Sequence, residues 1–263
     1  MPARRRGEGW TLAEGAGPGP GDAAPLAGGG TGPPSSAGGP ALVRVDMHLH
    51  TARSFDCSSD PIAVIETALA RGIDRICVTD HDRIATALAL RDRYPDRVIV
   101  GEEVKTAERV DVIGLFLHEE IPKGTPAVET CDRIHDQGGL VYVPHPFAAG
   151  KGGGGRILPL IEDRVDAVEG FNARIHLQRL NDLAVEWAHE RGLPLGAGSD
   201  AHTLGEVGRA FVEVPPFAME PASFLAALRE ARVRGRFSSW AVHAASTWAK
   251  LRKRLPGAPR GEL

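Results

Sequence analysis

The sequence predicts an α/β protein in which strands and helices alternate around a parallel sheet. Short β-branched runs recur from Ala41 onward, helix-period patterns with start and stop residues fall between most of them, and polar residues gather where the apolar runs end. A closed barrel of seven or eight strand–helix units fits into roughly 200 residues, and such sheets carry their functional groups at the carboxyl ends of the strands.

In chain order, strands are expected at Leu42 to Met47, Ile76 to Thr79, Val98 to Val100, Val112 to Leu117, Leu140 to Val143, Val165 to Phe171 and Leu193 to Ala197. The first helix is announced by Asp60 as N-cap and Pro61 at the first helical position. Ile62, Ile65, Ala68 and Leu69 share one face, and Gly72 stops it. Thr125, Pro126 and Gly138 bracket a second helix, and Leu177 to Arg191 reads as a third that Gly192 ends.

Residues 1 to 40 contain 12 Gly and 7 Pro with little hydrophobic periodicity, so they bury too little apolar surface to offset the entropy of ordering and are expected to form a disordered tail. The main domain is expected at 41 to 240, followed from 241 to 263 by a basic tail or helix containing Lys250, Arg252, Lys253 and Arg254. The 31 basic and 34 acidic residues leave a formal charge of −3, which gives no global attraction to nucleic acid or anionic lipid. No signal segment or membrane span is legible, and three widely spaced cysteines form no C-x-x-C pair, so a cytoplasmic protein is expected.

The strand ends carry the chemistry. The first runs into His48-Leu49-His50, whose imidazoles project to one face and can grip one metal. Asp56 follows in a polar turn from which a carboxylate can fold back. The second strand ends Thr79-Asp80-His81-Asp82, where Asp80 is placed to orient an imidazole. The third ends Gly101-Glu102-Glu103, adjacent carboxylates that repel unless a cation or solvent relieves them. Pro144-His145-Pro146 presents an imidazole from a backbone stiffened by two prolines, and Ser199-Asp200-Ala201-His202 repeats the two-residue spacing with one oxygen and one nitrogen ligand. Each element alone has an ordinary structural explanation. Five strand ends all bearing His, Asp or Glu point to a shared metal centre.

In order and spacing these motifs resemble the PHP family (polymerase and histidinol phosphatase domains) over about residues 43 to 217. The resemblance implies a distorted (β/α)7 barrel holding two or three divalent cations: manganese, zinc or iron. It implies that His48, His50, Glu103 and Asp200 hold one metal, that Glu103 bridges to a second held by His145, and that Asp56, His81 and His202 hold a third. His176 and Asp111 are alternatives for completing the second site. Where several relatives carry histidine, this chain has Asp56, whose carboxylate is the harder ligand and shifts preference toward manganese or iron.

The expected activity is hydrolysis of a phosphate ester by metal-activated water, with Glu103 and Asp200 as catalytic carboxylates and Lys151, Arg156 and Arg174 as substrate-binding cations around the glycine run 152 to 155. The expected partner is a phosphorylated small molecule or nucleotide, or the 5′ end of an oligonucleotide, and no membrane. An amidohydrolase-type metal hydrolase, which also begins with H-x-H, is the alternative enzyme. A degenerate PHP domain serving as a binding module is the non-enzymatic alternative.

Overall fold

The computed structural model describes residues 41–240 and 242–253. The tail expected at 1–40 lies outside them, as do residues 254–263 of the basic C-terminal segment.

Among the described residues nine strands form one sheet: β1 (Val43–Leu49), β2 (Arg75–Val78), β3 (Val98–Lys105), β4 (Asp111–Leu115), β5 (Leu140–Val143), β6 (Ala167–Asn172), β7 (Leu195–Gly198), β8 (Ala210–Val214) and β9 (Arg232–Gly235). Their order across the sheet is β7-β6-β5-β4-β3-β2-β1-β8-β9. The helices are α1 (Pro61–Ala70), α2 (Ala85–Arg93), α3 (Ala127–Asp136), α4 (Leu158–Ile161), α5 (Gln178–Glu190), α6 (Pro221–Leu228) and α7 (Val242–Lys253). None is long and apolar enough to cross a membrane.

The sequence signals at α1 act as read. The Asp60 carboxylate accepts a hydrogen bond from the Ala63 amide at 2.9 Å, Pro61 opens the helix, and Gly72 leaves it at φ +73°. Along β2, β3 and β5 successive side chains divide between two apolar clusters. Ile76, Val78, Val98, Val100, Val141 and Val143 join one, while Cys77, Ile99, Leu140 and Tyr142 join the other. Both faces of these strands are therefore covered, which is why they read as continuous apolar runs.

The sheet departs from the expected all-parallel alternation at β4, which runs antiparallel to both β3 and β5. Only the turn at 106–110 separates β3 from β4, too short for a helical crossover, so the chain folds back as a hairpin. That partner extends β3 past Val100, where its end was expected, through Gly101↔Leu115 to Lys105↔Asp111. Glu102 and Glu103 thus lie inside a strand, and its two-residue period sends them to opposite faces. Glu102 accepts from the Ile121 amide at 2.8 Å, and burial pushes its carboxyl up to about 8. The repulsion expected of the pair is relieved by this separation.

The barrel closes at the carboxyl end of β1. The Asp200 amide donates to the His48 carbonyl at 2.7 Å, and the His50 amide to the Ala201 carbonyl at 3.0 Å. The amino half of β1 pairs instead with antiparallel β8, through Val43↔Val214 and Val45↔Val212. Seven strands thus form a nearly closed barrel, split at its amino end by β8 and β9, which sequence reading had not identified. Asp46, fully buried in β1, ties the seam by accepting from the Ser199 amide at 2.9 Å and the Gly208 amide at 3.0 Å. Gly198 is required there, because a Cβ would lie 2.3 Å from that of His48.

Candidate metal centre

The closure brings the distant polar motifs to one end of the barrel. His48 and His50 arrive on and just after β1, His81 after β2, Glu103 on β3, His145 after β5, and Asp200 and His202 after β7, with Asp56 from the turn that follows β1. All but His81, which is only slightly more open, are buried. His145 and Asp200 hold φ of +27° and +50°, conformations disfavoured for residues with side chains and sustained by the surrounding structure.

Glu103 is the hub. Its Oε2 lies 3.3 Å from Nε2 of His48, 3.3 Å from Nε2 of His50 and 3.1 Å from Nδ1 of His81, while its Oε1 lies 3.3 Å from Nε2 of His145. Asp200 Oδ1 stands 3.4 Å from His50 Nε2 and 3.4 Å from His202 Nδ1. Asp56 reaches His202 Nε2 at 3.2 Å and His81 Nε2 at 3.6 Å. All eight residues expected as ligands are thus brought together.

Several buried groups hold these side chains in place. Glu169 on β6, which sequence reading passed over, sets Oε1 3.1 Å from His48 Nδ1 and accepts with Oε2 from the His145 amide at 2.7 Å and the Asn172 side chain at 3.0 Å. A carboxylate behind a ligand imidazole fixes its orientation and raises its basicity. Asp80, expected to orient an imidazole, reaches His50 through a relay: it accepts from the Ser54 hydroxyl at 2.7 Å, and that oxygen lies 3.1 Å from His50 Nδ1.

Burial works against charge at Glu103, Asp200 and His50, and neighbours decide the outcome. His81 and His48 overcome burial to hold Glu103 well below the usual carboxylate range, and Lys151 and His48 do the same for Asp200. For His50 burial wins, reinforced by His202 and His81, and its imidazole is pushed down to about 3. His50 therefore keeps a free lone pair at neutral pH.

The donor set fits divalent cations. Ligands bound at about 2.0–2.2 Å around one metal lie about 3–3.5 Å from each other, which is the spacing found around Glu103. The Nε2 atoms of His48 and His50 face each other at 3.2 Å, an arrangement that a shared cation stabilises. Glu103 Oε1 and Asp56 Oδ1 are buried and make no hydrogen bond despite the imidazoles beside them. Three overlapping groups have ligand atoms within 4.8 Å of one another: His48, Glu103 and His145; His48, His50 and Asp200; and His50, His81 and His202.

The cluster floors a cleft of about 360 Å³ lined also by Phe55, Asp111, Lys105, Lys123, Lys151 and Lys250. Of the cations expected to meet substrate, Lys151 lines the cleft, with Nζ 3.5 Å from Asp200 Oδ2. Arg174 lines the cleft, but its guanidinium is buried against Glu206 at 3.0 Å, His202 Nδ1 at 2.7 Å and the Ser246 hydroxyl at 2.6 Å, so it positions His202. Arg156 is not brought to the cleft: its exposed guanidinium donates to the Glu108 carbonyl. Of the two alternatives for the second site, Asp111 lines the cleft, whereas His176 stacks on Trp240 at 4.0 Å.

A model of the PHP domain matches residues 46–143, and one described as PHP-associated matches residues 178–233. An uncharacterized protein of Methanocaldococcus jannaschii is 31% identical over 198 residues, covering 71% of this chain and 79% of the relative. The fold is similar to that of a two-domain protein from Bacteroides vulgatus containing a predicted PHP-like metal-dependent phosphoesterase (TM-score 0.60, 15% identity, 80% of this chain and 70% of that one). It is also similar to the lesion-specific endonuclease EndoQ of Pyrococcus furiosus (TM-score 0.58, 16% identity, 73% of this chain and 57% of that one).

Proposed function

Because this chain belongs to the PHP family of metal-dependent phosphoesterases, we propose that it hydrolyses a phosphate ester at the cleft above Glu103, with a small phosphomonoester or mononucleotide as substrate. The observation that carries this reading is the placement of Glu103, whose two oxygens touch separate imidazole groups beneath a cleft walled by lysines. His48, His50, Glu103 and Asp200 would hold one cation, Glu103 and His145 a second with Asp111 beside them, and Asp56, His81 and His202 a third.

Divalent cations bound there would supply Lewis acidity toward phosphate oxygens and lower the pKa of a nearby water. The protein's own contribution is positional. Asp200, kept ionised, accepts a hydrogen bond from the attacking water and orients it, and Lys151 beside it receives a phosphate oxygen. Glu169 and the Asp80–Ser54 relay keep the His48 and His50 rings aimed at the cluster. The cleft volume lies at the small end of ligand pockets, about 300–1,000 Å³, and so favours a compact ester over a polynucleotide.

The test is to strip the protein with chelator, restore manganese or zinc, and assay p-nitrophenyl phosphate, mononucleotides and 5′-phosphorylated DNA and RNA, with amide substrates as the amidohydrolase control. Metal-dependent turnover of monoesters is expected. Undiminished turnover after thorough chelation, or hydrolysis of amides alone, contradicts the reading.

A further inference from the structure

Helix α7 roofs the cleft from outside both matched family regions, 46–143 and 178–233. Its Ser246, Thr247 and Lys250 line the cavity. Two contacts fix its register. Ser246 accepts from Arg174 at 2.6 Å, and the Lys253 ammonium donates to the carbonyls of Ala52 and Ser54 in the turn that carries Asp56. Between them Lys250 Nζ lies 3.4 Å from Asp56 Oδ2 and 5.1 Å from the centre of the Phe55 ring.

The four lysines of the cleft differ in how firmly they are held. Lys105 and Lys123 make short ion pairs, with Asp111 at 2.5 Å and Asp82 at 2.6 Å. Lys151 and Lys250 stand off at 3.5 and 3.4 Å, and the carboxylates they face, Asp200 and Asp56, are among the proposed cation ligands. A carboxylate that turns to a cation releases its lysine, and the ammonium on its flexible stem is then free to turn to another anion. Lys151 comes from the loop after β5 and Lys250 from α7, so the two approach the cavity from different elements of its wall.

We propose that Lys250 is a phosphate-recognition residue and α7 a lid that admits terminal phosphate monoesters, the dianion being held between Lys250 and Lys151. This rests on the phosphoesterase reading above and assigns specificity within it. Two ammonium groups match the two charges of a terminal monoester, where an internal diester presents one, and a roofed cavity admits a chain end more readily than a continuous strand.

The test uses the full chain loaded with manganese. Inorganic phosphate binding is measured by calorimetry, metal content by elemental analysis, and kcat and KM on p-nitrophenyl phosphate. Lys250→Met is expected to weaken phosphate binding and raise KM by about tenfold or more, with metal content unchanged and kcat within about twofold. Lys250→Arg restores most of the affinity, and Arg252→Met, which removes a charge from the same helix outside the cleft, leaves it at the wild-type value. Wild-type phosphate affinity in Lys250→Met overturns the proposal, as does loss of metal from that variant, which would make Lys250 a brace for Asp56. A metal-loaded wild type that neither binds phosphate nor cleaves the ester sinks the phosphoesterase reading itself.

Discussion

The floor of the cleft and its roof are built on different principles. The floor is a set of largely buried side chains on or beyond the strand ends, several of them braced by hydrogen bonds: Glu169 behind His48, Ser54 behind His50, Asp46 across the seam. The roof is a glycine-rich loop and one helix carrying partly exposed lysines on flexible stems. Rigid, desolvated groups suit cation binding and charge stabilisation, while adaptable surface cations suit capture and release. Under the proposed function, chemistry falls to the floor and recognition to the roof.

The largest effect is expected at Glu103. Glu103→Gln or His145→Ala is expected to lower kcat by at least about a thousandfold, since each removes an interaction at the reacting centre, while circular dichroism shows the fold retained. Wild-type turnover in either variant would place the chemistry elsewhere. Glu169→Gln touches no substrate but loosens His48, so metal affinity measured by competition with a chelator should fall about 10–100-fold. In the roof, Lys151→Met should raise KM by about tenfold and change kcat far less; an equal loss in kcat would move Lys151 into the chemical step. Smallest is Asp60→Ala, remote from both regions, which costs about 1 kcal/mol of stability by denaturant unfolding as the α1 cap is lost and leaves kcat/KM unchanged.

The same division governs what the sequence made legible. A strand end with H-x-H or P-H-P announces its function locally, because strand geometry fixes where the side chains go, and all eight expected ligands converge. Glu169 was missed because one carboxylate within Val168-Glu169-Gly170 resembles any buried strand position; its signal was an acid in an otherwise apolar run with Asn172 following. The extension of β3 through Glu103 depended on a hairpin partner that periodicity alone does not reveal. The roof was least legible. Arg156 was misplaced and Lys250 was read only as part of a basic tail or helix, since neither a glycine loop nor helix α7 states in its own residues what it will pack against.

The most direct measurement is anomalous diffraction from crystals of this protein grown with manganese. Peaks are predicted within coordination distance of both Glu103 oxygens, one shared with His48 and His50 and another with His145. Manganese bound away from Glu103, or absent from the cluster in protein that is catalytically active, would contradict the shared centre on which the account rests.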